Sequence, residues 1–99
     1  MGGFYMIELE IKKGRNRFYI GDSEVNSLAQ ITYIPAEDGK IIVDHTGVAD
    51  ELKGKKVGRK LVDKIVEYAR EENLKIIPQC SFVKKVFEEN PEYEDVWVK

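Results

Sequence analysis

Five of the sixteen lysines and arginines of this 99-residue chain, Lys53, Lys55, Lys56, Arg59 and Lys60, fall within eight positions, with Gly54 and Gly58 set among them. The apolar residues Val57, Leu61, Val62, Ile65, Val66 and Ala69 recur there on one face of a helix that runs to about Glu72 and ends near Asn73. The helix begins near Lys56, so Lys55, Lys56, Arg59 and Lys60 occupy its first turns. Cations there have the wrong sign for the helix dipole, and no Ser, Thr, Asp or Asn stands immediately ahead as a cap. The missing partner is an anion. A helix N-terminus offers unpaired backbone N–H groups, and glycines with flanking cations complete a cradle for phosphate. The plain alternative is a solvated basic face on an ordinary helix. Two other side chains carry chemistry. Cys80, the single cysteine, could act as a nucleophile or proton donor, or lie buried as a small hydrophobe. His45, the single histidine, could serve as a base near neutral pH, or be structural or exposed.

Strands must position these residues. From Tyr5 to Lys12 apolar and charged residues alternate with a period of two, which predicts a first strand. Gly14-Arg15-Asn16 supplies a turn into a short second strand, Arg17 to Ile20, closed by Gly21-Asp22. Leu28 to Ile34 reads as a third strand ended by Pro35, and Ala36-Glu37-Asp38-Gly39 turns it into a fourth, Lys40 to Val48. The basic helix follows. Leu74 to Ile77 is a fifth strand stopped by Pro78, and Phe82, Val83, Val86 and Phe87 recur at helical spacing until Pro91. The expected fold is α+β (mixed α/β), with order ββββαβα and a mostly antiparallel sheet. The tail from Tyr93 to Lys99 fits either a last strand or loose packing.

Composition limits the rest. The length suits one domain spanning residues 1–99, and 42% hydrophobic with 34% charged residues is the balance of a folded globular chain. A net charge of −2 speaks against a general nucleic-acid binder. No apolar run approaches the roughly 20 residues that cross a bilayer, and Met1 to Met6 lacks the features of a signal peptide, so a cytoplasmic location and no membrane partner are expected. No metal is expected.

The segment Val48 to Leu61 resembles the acetyl-CoA motif of the GNAT superfamily of N-acetyltransferases, which reads strand, [Arg/Gln]-x-x-Gly-x-[Gly/Ala], helix. Its signature positions fall on Lys53, Lys56 and Gly58, so the last matches, the first keeps its charge and the middle glycine is replaced. The chain further resembles the short acetyltransferase CG branch through His45-Thr46-Gly47-Val48, Pro78-Gln79-Cys80 with Phe82, and Pro91-Glu92-Tyr93. The resemblance runs from Ile7 to Tyr93. It implies a GNAT-like sheet with the cofactor cleft between strands four and five, and acetyl-CoA as co-substrate. It implies that backbone N–H groups from Lys55 to Arg59, including Val57, hold the pyrophosphate, with Lys53, Gly54, Lys56 and Gly58 around them. Strand Ile41 to Val48 would pair with the pantetheine arm. Splaying of the two strands would free backbone amides near Asp44 to Thr46 for the thioester carbonyl. Cys80 and His45 are the catalytic candidates, as proton donor or nucleophile and as base. The tyrosine that many family members use as acid aligns with Phe87, which has no hydroxyl, and Tyr93 could replace it only if the tail folds back. The implied activity is acetyl transfer to an unidentified amine, by a monomer or homodimer; a CoA-binding module without transfer activity and a small protein-interaction domain are the alternatives.

Overall fold

Five strands lie side by side in chain order in this computed structural model, which describes residues 10–99. They are β1 (Lys12–Gly14), β2 (Arg17–Gly21), β3 (Ser27–Ala36), β4 (Lys40–Val48) and β5 (Lys75–Pro78). The first four form an antiparallel meander, and β5 joins β4 in parallel. The alternating Tyr5, Ile7 and Leu9 of the expected first strand lie outside the described residues. Period-two burial selects one face: Phe18 and Ile20 on β2, Ala29, Ile31 and Tyr33 on β3, Ile41 and Val43 on β4 are buried. Pro35 does not end β3, contrary to the sequence reading. Beyond Tyr33, whose N–H bonds Asn16, β3 has a partner only in β4, and the position of the absent Pro35 N–H falls on the unpaired side, where no ladder bond is lost.

The helix α1 (Val57–Glu71) crosses from β4 to β5 and buries all six residues of the expected apolar stripe. Its Tyr68 ring meets Phe18 edge-on at 5.4 Å and Tyr33 at 5.7 Å, which seats the helix on the buried sheet face. A second helix, α2 (Ser81–Glu89), buries Val83, Val86 and Phe87. The tail folds back. The Ile76 N–H donates to the Val96 carbonyl at 2.6 Å, the Val98 N–H donates to the Ile76 carbonyl at 2.8 Å, and Trp97 packs edge-on against Phe87 at 5.8 Å. Of the two fates the sequence leaves open for the tail, pairing is the one adopted. The buried apolar residues of sheet, helices and tail form one continuous core.

Candidate active site

Two departures from regular pairing shape the site. The first is the parting of β4 and β5. Their ladder stops at Val43 and Pro78, and the N–H groups of Gln79 and Cys80 both donate to the Val43 carbonyl, at 3.0 and 2.9 Å. That double bond turns the chain away into α2. From Asp44 to Val48, β4 keeps a strand partner only on its β3 side among the described residues. The second departure is a β-bulge. Tyr33 pairs with Val43 and Thr32 with His45, which leaves Asp44 as the extra residue. The bulge shifts the alternation by one, so Thr46 and Val48, opposite the buried Ile31 and Ala29, turn toward the helices. His45 then turns, with Thr32, to the opposite face of the sheet.

At the head of α1 lies a cavity of about 470 Å³. Of the expected cofactor residues, Thr46, Val48, Lys53, Gly54, Lys56, Val57, Gly58 and Arg59 line it, together with Leu52 and Phe82. Lys55 belongs to the same loop but does not line the cavity, and Asp44 is also absent from its wall. The carboxylate of Asp44 accepts the Thr32 hydroxyl at 2.7 Å on the far face. His45 is exposed there, its Nε2 3.2 Å from the point where a Cβ on Gly47 would stand. The structure thus separates two groups that the sequence places in one stretch.

The loop explains its own composition. Lys56 is the N-cap of α1 at φ 59°, without a side-chain cap bond, and no acidic residue stands in the first helical turn. That is glycine's region of the backbone, and a lysine held there costs roughly 1–2 kcal/mol. The family pattern has glycine at this position. Gly54, at φ 83°, has nothing within 4 Å of its would-be Cβ, so the loop is open on that side. Uncapped N–H groups, an open loop, the Lys56 ammonium group and that of Lys53, itself paired with Asp50 at 3.0 Å, give the head of α1 the chemistry of an anion site.

Arg59 is differently employed. Its Nε donates to the Tyr93 hydroxyl at 2.8 Å, its guanidinium lies 5.4 Å from the ring centre, and Asp63 and Glu92 each stand at 3.7 Å. The Tyr93 hydroxyl in turn donates to Asp63. Burial, and then this bond to Asp63, raise the Tyr93 pKa above its ordinary value. The tail has folded back as a tyrosine acid would require, yet the hydroxyl is occupied by partners on α1. Phe87 is a core residue stacked on Tyr93 at 5.2 Å. Cys80, partly buried at the N-cap of α2, donates its thiol to Thr46 Oγ1 at 3.5 Å across the parted strands. Sequence reasoning placed Phe82 only in the helical repeat and the family-like segment, and missed both its place in the cavity and the bulge. The bulge shows only in the pairing, where the inward residues of β4 change from odd numbers, Ile41 and Val43, to even ones, Thr46 and Val48.

The fourth and fifth strands of the sheet thus part beside an uncapped helix start that opens onto the cavity. The pattern of the GCN5-related N-acetyl-transferase family matches residues 17–96, and the chain belongs to that family. A GCN5-like protein from Staphylococcus aureus, known in solution, is 56% identical over 91% of this chain and 88% of its own, with a TM-score of 0.77. An acetyltransferase of the GNAT family from the same species shares the fold at 19% identity and a TM-score of 0.56, over 75% of this chain and 50% of that one. The ribosomal-protein-alanine N-acetyltransferase of Brucella melitensis does so at 19% identity and a TM-score of 0.53, over 78% and 64%. No curated protein gives a significant match. Among the described residues no group of His, Cys, Asp and Glu is arranged to hold a metal, and no helix is long and apolar enough to cross a membrane.

Proposed function

We propose that the cavity at the head of α1 receives acetyl-CoA and that the chain passes its acetyl group to an amine. The observation that carries this reading is the uncapped, lysine-flanked start of α1 opening onto the free stretch of β4, in a chain of this family. The backbone N–H groups of Val57 to Arg59 and the Lys53 and Lys56 ammonium groups hold the phosphates. Arg59, engaged with Tyr93, contributes position more than charge. Bound acetyl-CoA supplies an acetyl group activated as a thioester. Thr46 and Val48 face the arm that carries it, and backbone amides of the bulged stretch from Asp44 to Thr46 serve its carbonyl oxygen. Cys80 holds a proton at Sγ beside Thr46, where it serves the departing sulfur. The acceptor arrives from the opposite face, and His45 takes its proton.

Isothermal titration with CoA and acetyl-CoA tests the donor. Micromolar binding that falls at least tenfold in Lys56→Glu is expected, because reversing this charge opposes the phosphates without touching the core. Wild-type protein that binds neither sinks the reading. With binding established, Cys80→Ala separates enzyme from binding module in an acetyl-CoA turnover assay over a panel of amines. A large loss of turnover at unchanged affinity assigns the thiol to the reaction, and absence of turnover in the wild type for every amine favours the binding module.

A further inference from the structure

Phe82, with Leu52 and Gly54, is a cavity residue that the chemistry above leaves unused. It is the second residue of α2 and remains 42% exposed, although its neighbour Val83 and the later Val86 and Phe87 fill the core beneath it. Its ring lies against the first turn of α1. Cζ and Cε2 are 3.0 and 3.1 Å from the point where a Cβ on Gly58 would stand. The ring has no retreat. The N-terminal end of α2 is fixed by the two N–H groups on the Val43 carbonyl. Its far end is fixed by Arg59, which reaches the Tyr93 hydroxyl at 2.8 Å and Asn90 at 3.5 Å. An aromatic ring held between two ties, with nearly half its surface in water at the rim of a cavity, is an apolar wall awaiting an apolar neighbour.

The other walls indicate which neighbour. Val48, Leu52 and Val57 add apolar surface to the wall, while Lys53 and Lys56, on the loop ahead of α1, add charge. The lining thus offers charge and backbone N–H groups for phosphates and, with Phe82, apolar surface for an uncharged arm. We infer that Phe82 and Gly58 are a matched pair that recognises the pantetheine arm of the donor. Gly58 is small so that the ring can lie over the helix start, and the ring positions the arm so that its thioester meets the stretch between Thr46 and Cys80. Phe82 is a positioning residue. The inference rests on the acetyl-CoA reading above and deepens it: the last glycine of the motif serves a ring of the same chain as well as a phosphate.

The test separates the arm from the nucleotide. Wild type, Phe82→Leu and Phe82→Ala are titrated with CoA and with adenosine 3′,5′-bisphosphate, which has the ribose phosphates but no pantetheine. Phe82→Ala is expected to weaken CoA at least tenfold and adenosine 3′,5′-bisphosphate less than twofold, with Phe82→Leu between. Gly58→Ala should weaken CoA by crowding the ring, and Gly58→Ala with Phe82→Leu should recover at least fivefold of that loss. Equal weakening of both probes would make Phe82 a packing residue of the helix start and overturn the inference. Unchanged or tighter CoA binding in Phe82→Ala would make the ring a plug and overturn it equally. Wild type that binds adenosine 3′,5′-bisphosphate no more weakly than CoA would show that the arm adds nothing. Wild type that binds neither would remove the donor reading itself, and the inference with it.

Discussion

At the scale of single residues, the hydroxyl of Tyr93 ties the segment that follows α2 to α1. It receives Arg59 and gives its own proton to Asp63, so both of its hydrogen-bonding capacities are used in a buried place. Tyr93→Phe leaves the ring and its stacking on Phe87 but strips Asp63 and Arg59 of a partner, and it should lower stability by about 1–2 kcal/mol in urea unfolding. The pH dependence follows from the raised Tyr93 pKa. A group whose pKa is higher folded than unfolded contributes fully below its unfolded value, about 10 for tyrosine, and loses that contribution as pH rises through the folded value. The gap in melting temperature between wild type and Tyr93→Phe should therefore narrow from pH 8 to pH 11. A gap that stays constant would mean that the hydroxyl does not titrate differently in the two states. Arg59 also marks a limit of reading from sequence. Its place in the basic segment was plain, but the partners of its side chain thirty or so positions away, Tyr93 and Asn90, were not.

At the scale of elements, the pattern of burial was legible wherever a periodicity ran undisturbed. The stripe from Val57 to Ala69 gave α1 within a residue at either end, and β4 spans Lys40–Val48 as expected. What escaped was set by pairing between strands. Pro35 stays in β3 because its neighbour on that side has already ended. The bulge at Asp44 sends His45 away from the cavity while keeping Thr46 in it, and a strand read alone does not show its partner's register. The tail was undecidable for a similar reason, since its strand pairing depends on whether β5 leaves an edge free. Tail pairing and the Trp97–Phe87 contact now cover that edge. Trp97→Ala should cost about 2–3 kcal/mol by loss of ring burial, read from denaturant unfolding followed by circular dichroism. A cost under half a kcal/mol would show that the tail lies on the sheet without supporting it.

At the scale of the whole molecule, sheet, helices and tail share one apolar cluster, from Phe18 on β2 to Val96 near the end of the chain. We expect scanning calorimetry to give one transition with equal calorimetric and van't Hoff enthalpies, the behaviour of a single cooperative unit. Two resolved transitions would divide the chain into separately folding parts. With CoA at about a hundred times its dissociation constant, the same transition should move upward by the equivalent of about 2.7 kcal/mol. The parallel pairing of β4 with β5 adds a consequence in time. The meander joins strands that are neighbours along the chain, whereas Lys40 meets Lys75 only after the whole of α1 has been laid across the sheet. Long loops close slowly, and the residues that line the cavity come from both sides of this closure. Competence to bind is then the last property a folding chain acquires and the first a fraying one surrenders, so a partly unfolded population will still show strands by spectroscopy when it has stopped recognising its ligand.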